Sequence, residues 1–225
     1  MAENQIAIQE ISNYSGIGMF TVGLSSDLWN SDDEQNYMQR EESDRLVEIA
    51  KENNIFFSLS ECKNFGERVR ERSGESIVYF NEETKIYTKL KDPYAKAPIK
   101  KICAYDAIFE PIIHNLISPN TEYRFKGITE DIEGVRIILE QKAIDPHFTN
   151  LSQEEVHEFL EDELGLKKED NYFYGNDYYA ITDINPNESD NVLRGDDGII
   201  YLIDPLIKLK KPAPEVIKYL LETRK

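Results

Sequence analysis

The sequence predicts an α+β fold of two lobes: a sheet-rich N-lobe and a small helical C-lobe that contains a β-hairpin. Helical and extended hydrophobic patterns alternate in the order helix, strands, helix, strands, helix, hairpin, helix. The chain has 225 residues, of which 40% are apolar. That length and composition suffice for one large domain or for two small lobes around a cleft.

Four segments carry the periodicity and the boundary residues of helices. They are residues 41–54, 99–117, 153–165 and 213–225. The first has acidic residues in its first turn and Asn53–Asn54 at its end, and SDDEQN before it predicts a solvated turn. Pro111 is expected to interrupt the second helix or to split it in two. Ser152 and Glu155 form a capping box that opens the third.

The strands are predicted from β-branched and aromatic residues bounded by turn residues. They are the short strand IFFSLSE, a hairpin over Gly74–Asp92, the pair EYRFKGI and GVRIILEQ, and a last hairpin over residues 191–204. The stretch NYFYGNDYY predicts an aromatic loop. A hinge is expected near Gln141–Pro146.

The composition excludes some classes of function. The net charge of −17, from 43 acidic and 26 basic residues, disfavours binding to nucleic acid or to an anionic membrane. A nucleotide site would therefore need local Lys or Arg and a cation. Cys62 and Cys103 lack metal-site spacing, and a reduced, cytoplasmic protein fits them better than a disulfide does. The N-terminus has no basic region and no long apolar run, so we expect no signal peptide, and no apolar run is long enough to span a bilayer.

The strongest candidate site lies around the last hairpin, where Asp183 precedes Asn191 and Asp204 ends an apolar strand. Kinases use this order of groups to orient a hydroxyl and to hold Mg·ATP. The first Asp can accept a proton, and the Asn and the second Asp can offer oxygen ligands to Mg²⁺.

Three further residues have positions that suit a phosphate site. Gly74 lies at a strand turn, where backbone N–H groups can approach phosphates. Lys89 follows 15 residues later on the returning strand, although Lys85 and Lys91 share its face. Glu110 follows 21 residues after Lys89 on the next helix, where kinases place the glutamate that pairs with the strand lysine. Asp106, one turn earlier, is the competing acid.

In this order, these features resemble the kinase-fold domains found in polyvalent proteins of bacterial mobile elements and phages. The resemblance extends from about residue 45 to residue 210. It is carried by GESIVY, TKLKD, His114-Asn115 with Pro119 and Tyr123, KGI, ILEQKAI and DINPNESDNVLRGDDGIIYLIDP. It implies a minimal protein-kinase-like fold with an N-terminal segment (1–54), an N-lobe (55–143) and a reduced C-lobe (144–225).

The resemblance also implies roles for individual residues. Lys89 would contact the ATP phosphates, and Glu140 to Lys142, with Glu140 and Gln141 as the binding residues, would form the hinge beside adenine. Asp183 would be the catalytic base, and Asn191 and Asp204 would bind Mg²⁺. His114-Asn115 would have a structural role.

The chain departs from the kinase pattern in ways that bear on catalysis. Seven residues separate Asp183 from Asn191 where kinases usually have four, so Asn187 is an alternative ligand. Ile181-Thr182 replace the His-Arg that usually precedes the base, and Pro-Leu follows Asp204 in place of Phe-Gly. Only 21 residues follow Asp204, too few for an activation segment and a substrate platform. A small acceptor, or one presented by a partner, is therefore expected.

Three functional hypotheses follow. The first is a minimal ATP- and Mg²⁺-dependent phosphotransferase with an unknown small-molecule or protein acceptor, in which the nucleotide lies between the lobes. The second is an inactive kinase fold that serves a mobile element as a nucleotide-binding or protein-interaction module. The third is an accessory α+β protein that is unrelated to kinases.

Overall fold

The computed structural model describes residues 32–73, 76–94, 104–144, 148–185 and 191–223. These residues form helices and antiparallel sheets, which confirms the α+β prediction. The chain divides into two compact units. The first contains the described residues up to Pro111 together with Arg124–Gln141, and the second contains Ile112–Tyr123 and the described residues from Lys142 onward. The division into segments 1–54, 55–143 and 144–225 stays a prediction.

The first unit is built on a five-stranded sheet with the strand order β1-β2-β3-β5-β4. Its strands are β1 (Glu67–Ser73), β2 (Ser76–Asn81), β3 (Ile86–Lys91), β4 (Tyr123–Asp131) and β5 (Gly134–Lys142). Its helices are α1 (Asp32–Glu52), α2 (Leu59–Cys62) and the first part of α3 (Ala104–Ile117). Strands β2 and β3 form the hairpin predicted over Gly74–Asp92, and β4 and β5 are the predicted strand pair.

A small apolar core lies on one face of this sheet. Leu90 of β3, Ile138 of β5 and Cys62 of α2 are its fully buried members. Phe57, Phe65, Ile77 and Tyr79 pack against them. Burial raises the pKa of the Cys62 thiol, which is free of any disulfide. Side chains alternate between the two faces of a strand, and Leu90 lies on the core face of β3. Its neighbours Lys89 and Lys91 therefore lie on the opposite face.

The chain between α1 and α2 approaches β4 very closely. The Phe57 N–H donates to the Ile128 carbonyl at 2.8 Å, and the Ile128 N–H donates to the Ile55 carbonyl at 2.9 Å. A Cβ atom on Gly127 would lie 2.2 Å from the Ile55 oxygen, so only glycine allows this approach. The predicted strand IFFSLSE is therefore a single parallel bridge at Phe56, and a capped helix begins at Leu59.

The second unit contains two small sheets, with the orders β11-β10-β6 and β12-β9-β8-β7. Their strands are β6 (Phe148–Asn150), β7 (Lys167–Lys168), β8 (Tyr174–Gly175), β9 (Tyr179–Thr182), β10 (Val192–Gly195), β11 (Ile200–Leu202) and β12 (Leu206–Leu209). Its helices are α4 (Gln153–Glu158), which continues as a π-helical turn over Phe159–Glu163, and α5 (Ala213–Thr223). The structure confirms the capping box at Ser152 and Glu155.

Three elements differ from the sequence prediction. Helix α1 already begins at Asp32, so SDDEQN is not a solvated turn; acidic residues at a helix N-terminus are stabilised by its dipole. Pro111 lies inside a continuous helix α3, because buried apolar residues on both sides of it, including Ile108 and Ile113, hold the helix in place. The aromatic stretch 171–179 includes strand β8 and the first residue of β9.

None of the helices in the described parts of the chain is long and apolar enough to cross a membrane.

We expect Leu90→Ala to lower the free energy of unfolding by about 2–5 kcal/mol, because it removes a side chain that is only 1% exposed and leaves a cavity beside Cys62 and Ile138. Urea unfolding followed by circular dichroism measures this change. Leu221→Ala is the matched control, since Leu221 is 40% exposed and its loss should cost under about 0.5 kcal/mol. Equal effects of the two variants would contradict the core described above.

Candidate active site

A largely buried ion pair joins strand β3 to helix α3 in the first unit. Lys91 Nζ lies 3.3 Å from Glu110 Oε2, and the two side chains are only 13% and 9% exposed. Leu90 points into the core, so Lys91 extends from the opposite face of the strand. A lysine and a glutamate in this relation form the type of pair that kinases build beside the phosphates.

The sequence prediction paired Glu110 with Lys89, and the structure gives it an ion pair with Lys91. Lys89 lies on the same face of β3, where it is half-buried and opposite Val78 of β2. Its role at the phosphates stays a prediction. Strand periodicity alone could not separate the two lysines, since both have odd positions on one strand. The side chain of Asp106 lies outside the described residues.

The remaining predicted residues of the first unit are Gly74, Glu140 and Gln141. Strand β1 ends at Ser73 and β2 begins at Ser76, and these two residues are paired. Gly74 itself lies outside the described residues. Glu140 forms an ion pair with Lys126, whose ammonium group lies over the Phe65 ring.

The chain passes from the first unit to the second directly after Gln141. Gln141 is buried near the end of β5, whose last residue is Lys142. A role for Glu140 and Gln141 beside adenine stays a prediction.

Asp183 and Asn191 are joined by two hydrogen bonds in the second unit. Asn191 Nδ2 donates to the Asp183 carbonyl oxygen at 2.9 Å and to Asp183 Oδ2 at 2.8 Å. Both partners can only accept, so the nitrogen of the amide must face them and its oxygen must point away. Asp183 follows the fully buried strand β9 but is itself exposed, so the strand fixes its backbone while the carboxylate remains accessible.

The backbone of Asp183 is unusual, with a φ of +60°. Few residues other than glycine adopt this left-handed conformation, although aspartate tolerates it better than most. The hydrogen bond from Asn191 to the Asp183 carbonyl holds it there. Asn187, the alternative ligand, lies outside the described residues.

Asp204 follows strand β11 by two residues and is half-buried. The hydroxyl of Tyr123 donates to Asp204 Oδ1 at 2.7 Å. Sequence reasoning assigned no role to Tyr123, and no local signal could have done so, because 81 residues separate the two partners.

The chemistry of these side chains suits a hard cation better than a soft one. Asn191 and Asp204 offer an amide oxygen and a carboxylate, and Mg²⁺ is usually bound through one or two carboxylates together with phosphate oxygens and water. Among the described residues, no three His, Cys, Asp or Glu side chains form a metal-binding group.

Comparison with known protein families identifies the chain. Residues 39–211 match the model of a family described as a serine/threonine/tyrosine kinase found in polyvalent proteins. The chain belongs to this family. Its α+β fold is accordingly kinase-like, and the kinase-type domain covers both units. No curated protein and no solved structure matches the chain.

We expect a double-mutant cycle on Lys91→Met and Glu110→Gln to give a coupling energy of about 1–3 kcal/mol, because removing one partner leaves the other charge in a largely buried position. Chemical unfolding of the two single variants and the double variant measures it. Lys218 and Glu222 provide the control: they form an exposed pair, 4.0 Å apart, whose coupling should be under about 0.5 kcal/mol. A coupling near zero for Lys91 and Glu110 would mean that their contact does not organise the first unit.

Proposed function

We propose that the protein is a Mg²⁺- and ATP-dependent phosphotransferase that acts on a small molecule or a protein. The observation that carries this proposal is the double hydrogen bond from Asn191 to Asp183, directly before a hairpin that leads to Asp204. The family match supports a kinase-type domain, and the three side chains supply the functional groups that such a domain requires.

Each residue has a role that its local contacts permit. The exposed Asp183 carboxylate accepts the proton of the acceptor hydroxyl, and the bonds from Asn191 keep it in one orientation. Asn191 directs its amide oxygen, and Asp204 its carboxylate, toward Mg²⁺. Mg²⁺ and ATP, when bound, supply the phosphoryl group and neutralise the charge that develops during its transfer.

The residues of the first unit contact the nucleotide in this proposal. Lys89 contacts the phosphates, with Gly74 offering its backbone N–H nearby, and Glu140 and Gln141 contact adenine. Lys91 is the alternative phosphate lysine, because its ion pair with Glu110 is of the type that kinases form beside the phosphates. The net charge of −17 makes these lysines important, since the protein as a whole repels a polyanion.

A second candidate is a catalytically inactive member of the family that binds nucleotide or another protein within a mobile element. The seven residues between Asp183 and Asn191, and the Pro-Leu that follows Asp204, favour this candidate. An inactive member that binds nucleotide differs from the phosphotransferase only in turnover, whereas one that binds another protein also lacks the nucleotide site.

We expect Mg·ATP at a hundredfold excess over its Kd to stabilise the protein by roughly 2–3 kcal/mol. Thermal unfolding with ATP, with and without Mg²⁺, measures this effect. Asp204→Ala should abolish the Mg²⁺-dependent part of the stabilisation. Asp196→Ala should retain it, since Asp196 is exposed in the turn of the hairpin.

Three outcomes decide between the candidates. Stabilisation that needs both Mg²⁺ and Asp204, together with phosphate transfer or ATP hydrolysis that Asp183→Asn removes, establishes the phosphotransferase. The same stabilisation without turnover supports the inactive module. No shift at millimolar ATP contradicts the nucleotide site and leaves only the module that binds another protein.

A further inference from the structure

The hydroxyl of Tyr123 makes the hydrogen bond that orients Asp204. It lies 2.7 Å from Asp204 Oδ1 and 3.3 Å from the Ile203 carbonyl oxygen. An ionised carboxylate can only accept, so the phenol must be the donor. A phenol has one proton, and the shorter contact to the charged acceptor is the stronger of the two. Tyr123 is 8% exposed, so little water competes for this bond.

Tyr123 is itself fixed at both of its backbone polar groups. Its N–H donates to Asn115 Oδ1 at 2.7 Å, and its carbonyl accepts from Asn115 Nδ2 at 2.7 Å. The side chain of Asn115 thus pairs with Tyr123 as a neighbouring strand would. The Tyr123 ring packs on the ring of His114, with 4.8 Å between the centroids. Backbone and ring together leave the phenol little freedom to turn away from Asp204.

The same short segment also holds the backbone just before Asp204. The hydroxyl of Thr121 contacts the Leu202 carbonyl oxygen, and His114 Nε2 lies 3.0 Å from both the carbonyl oxygen and the hydroxyl of Thr121. Thr121 and His114 are both buried. Residues 121–123 therefore fix the backbone at Leu202 and the carboxylate at Asp204.

We propose that Tyr123 is a positioning residue for metal binding: its hydroxyl holds the Asp204 carboxylate in the rotamer that receives Mg²⁺. This inference rests on the proposed function. A partner that hydrogen-bonds to a metal ligand sets its orientation, and loss of such a partner typically weakens metal affinity by 10–100-fold. Tyr123 touches neither nucleotide nor metal and acts only through Asp204.

The test is the Mg²⁺ concentration that gives half of the ATP-dependent thermal stabilisation of the full chain. Tyr123→Phe keeps the ring on His114 and removes only the hydroxyl. We expect it to raise this concentration by about 10-fold or more. The melting temperature without ligand should stay close to that of the wild type, because the ring and the bonds to Asn115 remain.

Tyr201→Phe is the matched control. The Tyr201 hydroxyl donates to Asp197 Oδ2 at 2.7 Å, so this variant removes a tyrosine–aspartate hydrogen bond of the same unit that involves a different aspartate. We expect it to leave the half-saturating Mg²⁺ concentration unchanged. A double-mutant cycle with Asp204→Asn distinguishes a positioning role of the Tyr123 hydroxyl from a general effect on stability. Once the carboxylate has been replaced, Tyr123→Phe should have little further effect on the half-saturating Mg²⁺ concentration.

Three results would overturn the proposal. One is wild-type Mg²⁺ dependence in Tyr123→Phe while Asp204→Ala abolishes it, which would leave the proposed function intact. Another is an equal weakening by Tyr123→Phe in wild type and in Asp204→Asn, which would assign the hydroxyl a structural role only. The third is an absence of Mg²⁺-dependent ATP binding in the wild type, which would remove the proposed function as well.

Discussion

Helix α3 must bury an apolar face and also provide hydrogen-bond or ion-pair partners for three of its polar side chains. The residues proposed for the site depend on these contacts. Ile108, Ile113 and other aliphatic residues of the helix are buried. Glu110 pairs with Lys91, while His114 and Asn115 bind the segment that leads into β4. A buried polar group without a partner costs about 1–3 kcal/mol, so these bonds also fix how the helix is rotated about its axis. One helix thereby contributes to the lysine pair of one unit and to the support of Asp204 in the other.

The distribution of charge explains why a cation would matter. Buried or half-buried cations of the first unit are held by carboxylates: Lys91 by Glu110, Lys126 by Glu140. Arg136 lies within ion-pair distance of three acids, namely Asp92, Asp131 and Glu133. Such pairs stabilise the fold, but part of their positive charge is already offset. In the proposed function, Mg²⁺ bound with the nucleoside triphosphate would supply the positive charge that these side chains offer only in part.

The sequence predicted those parts of the structure that local rules determine. The capping box at Ser152, the β2–β3 hairpin and the pairing of β4 with β5 all depend on residues close together in the chain. The ion pair of Glu110 with Lys91 could not be predicted, because Lys89 and Lys91 lie on the same face of β3 and strand periodicity does not distinguish them. The hydrogen bond from Tyr123 to Asp204 joins residues that are 81 positions apart. No local sequence pattern predicts such a contact. The start of α1 was misplaced because its acidic first turns resemble a polar loop.

The two bonds from Asn191 to Asp183 have a consequence for how this region can change in evolution. They join the two ends of the stretch from residue 184 to residue 190, so the residues on either side of it are held together whatever lies between. The entropic cost of bringing the two ends of a connecting segment together grows only with the logarithm of its length, and each doubling costs about 0.6 kcal/mol. A change in the number of residues between Asp183 and Asn191 therefore need not disturb the two bonds that join them. Seven residues lie between them where kinases usually have four, and a short peptide inserted at this point should leave both side chains in place.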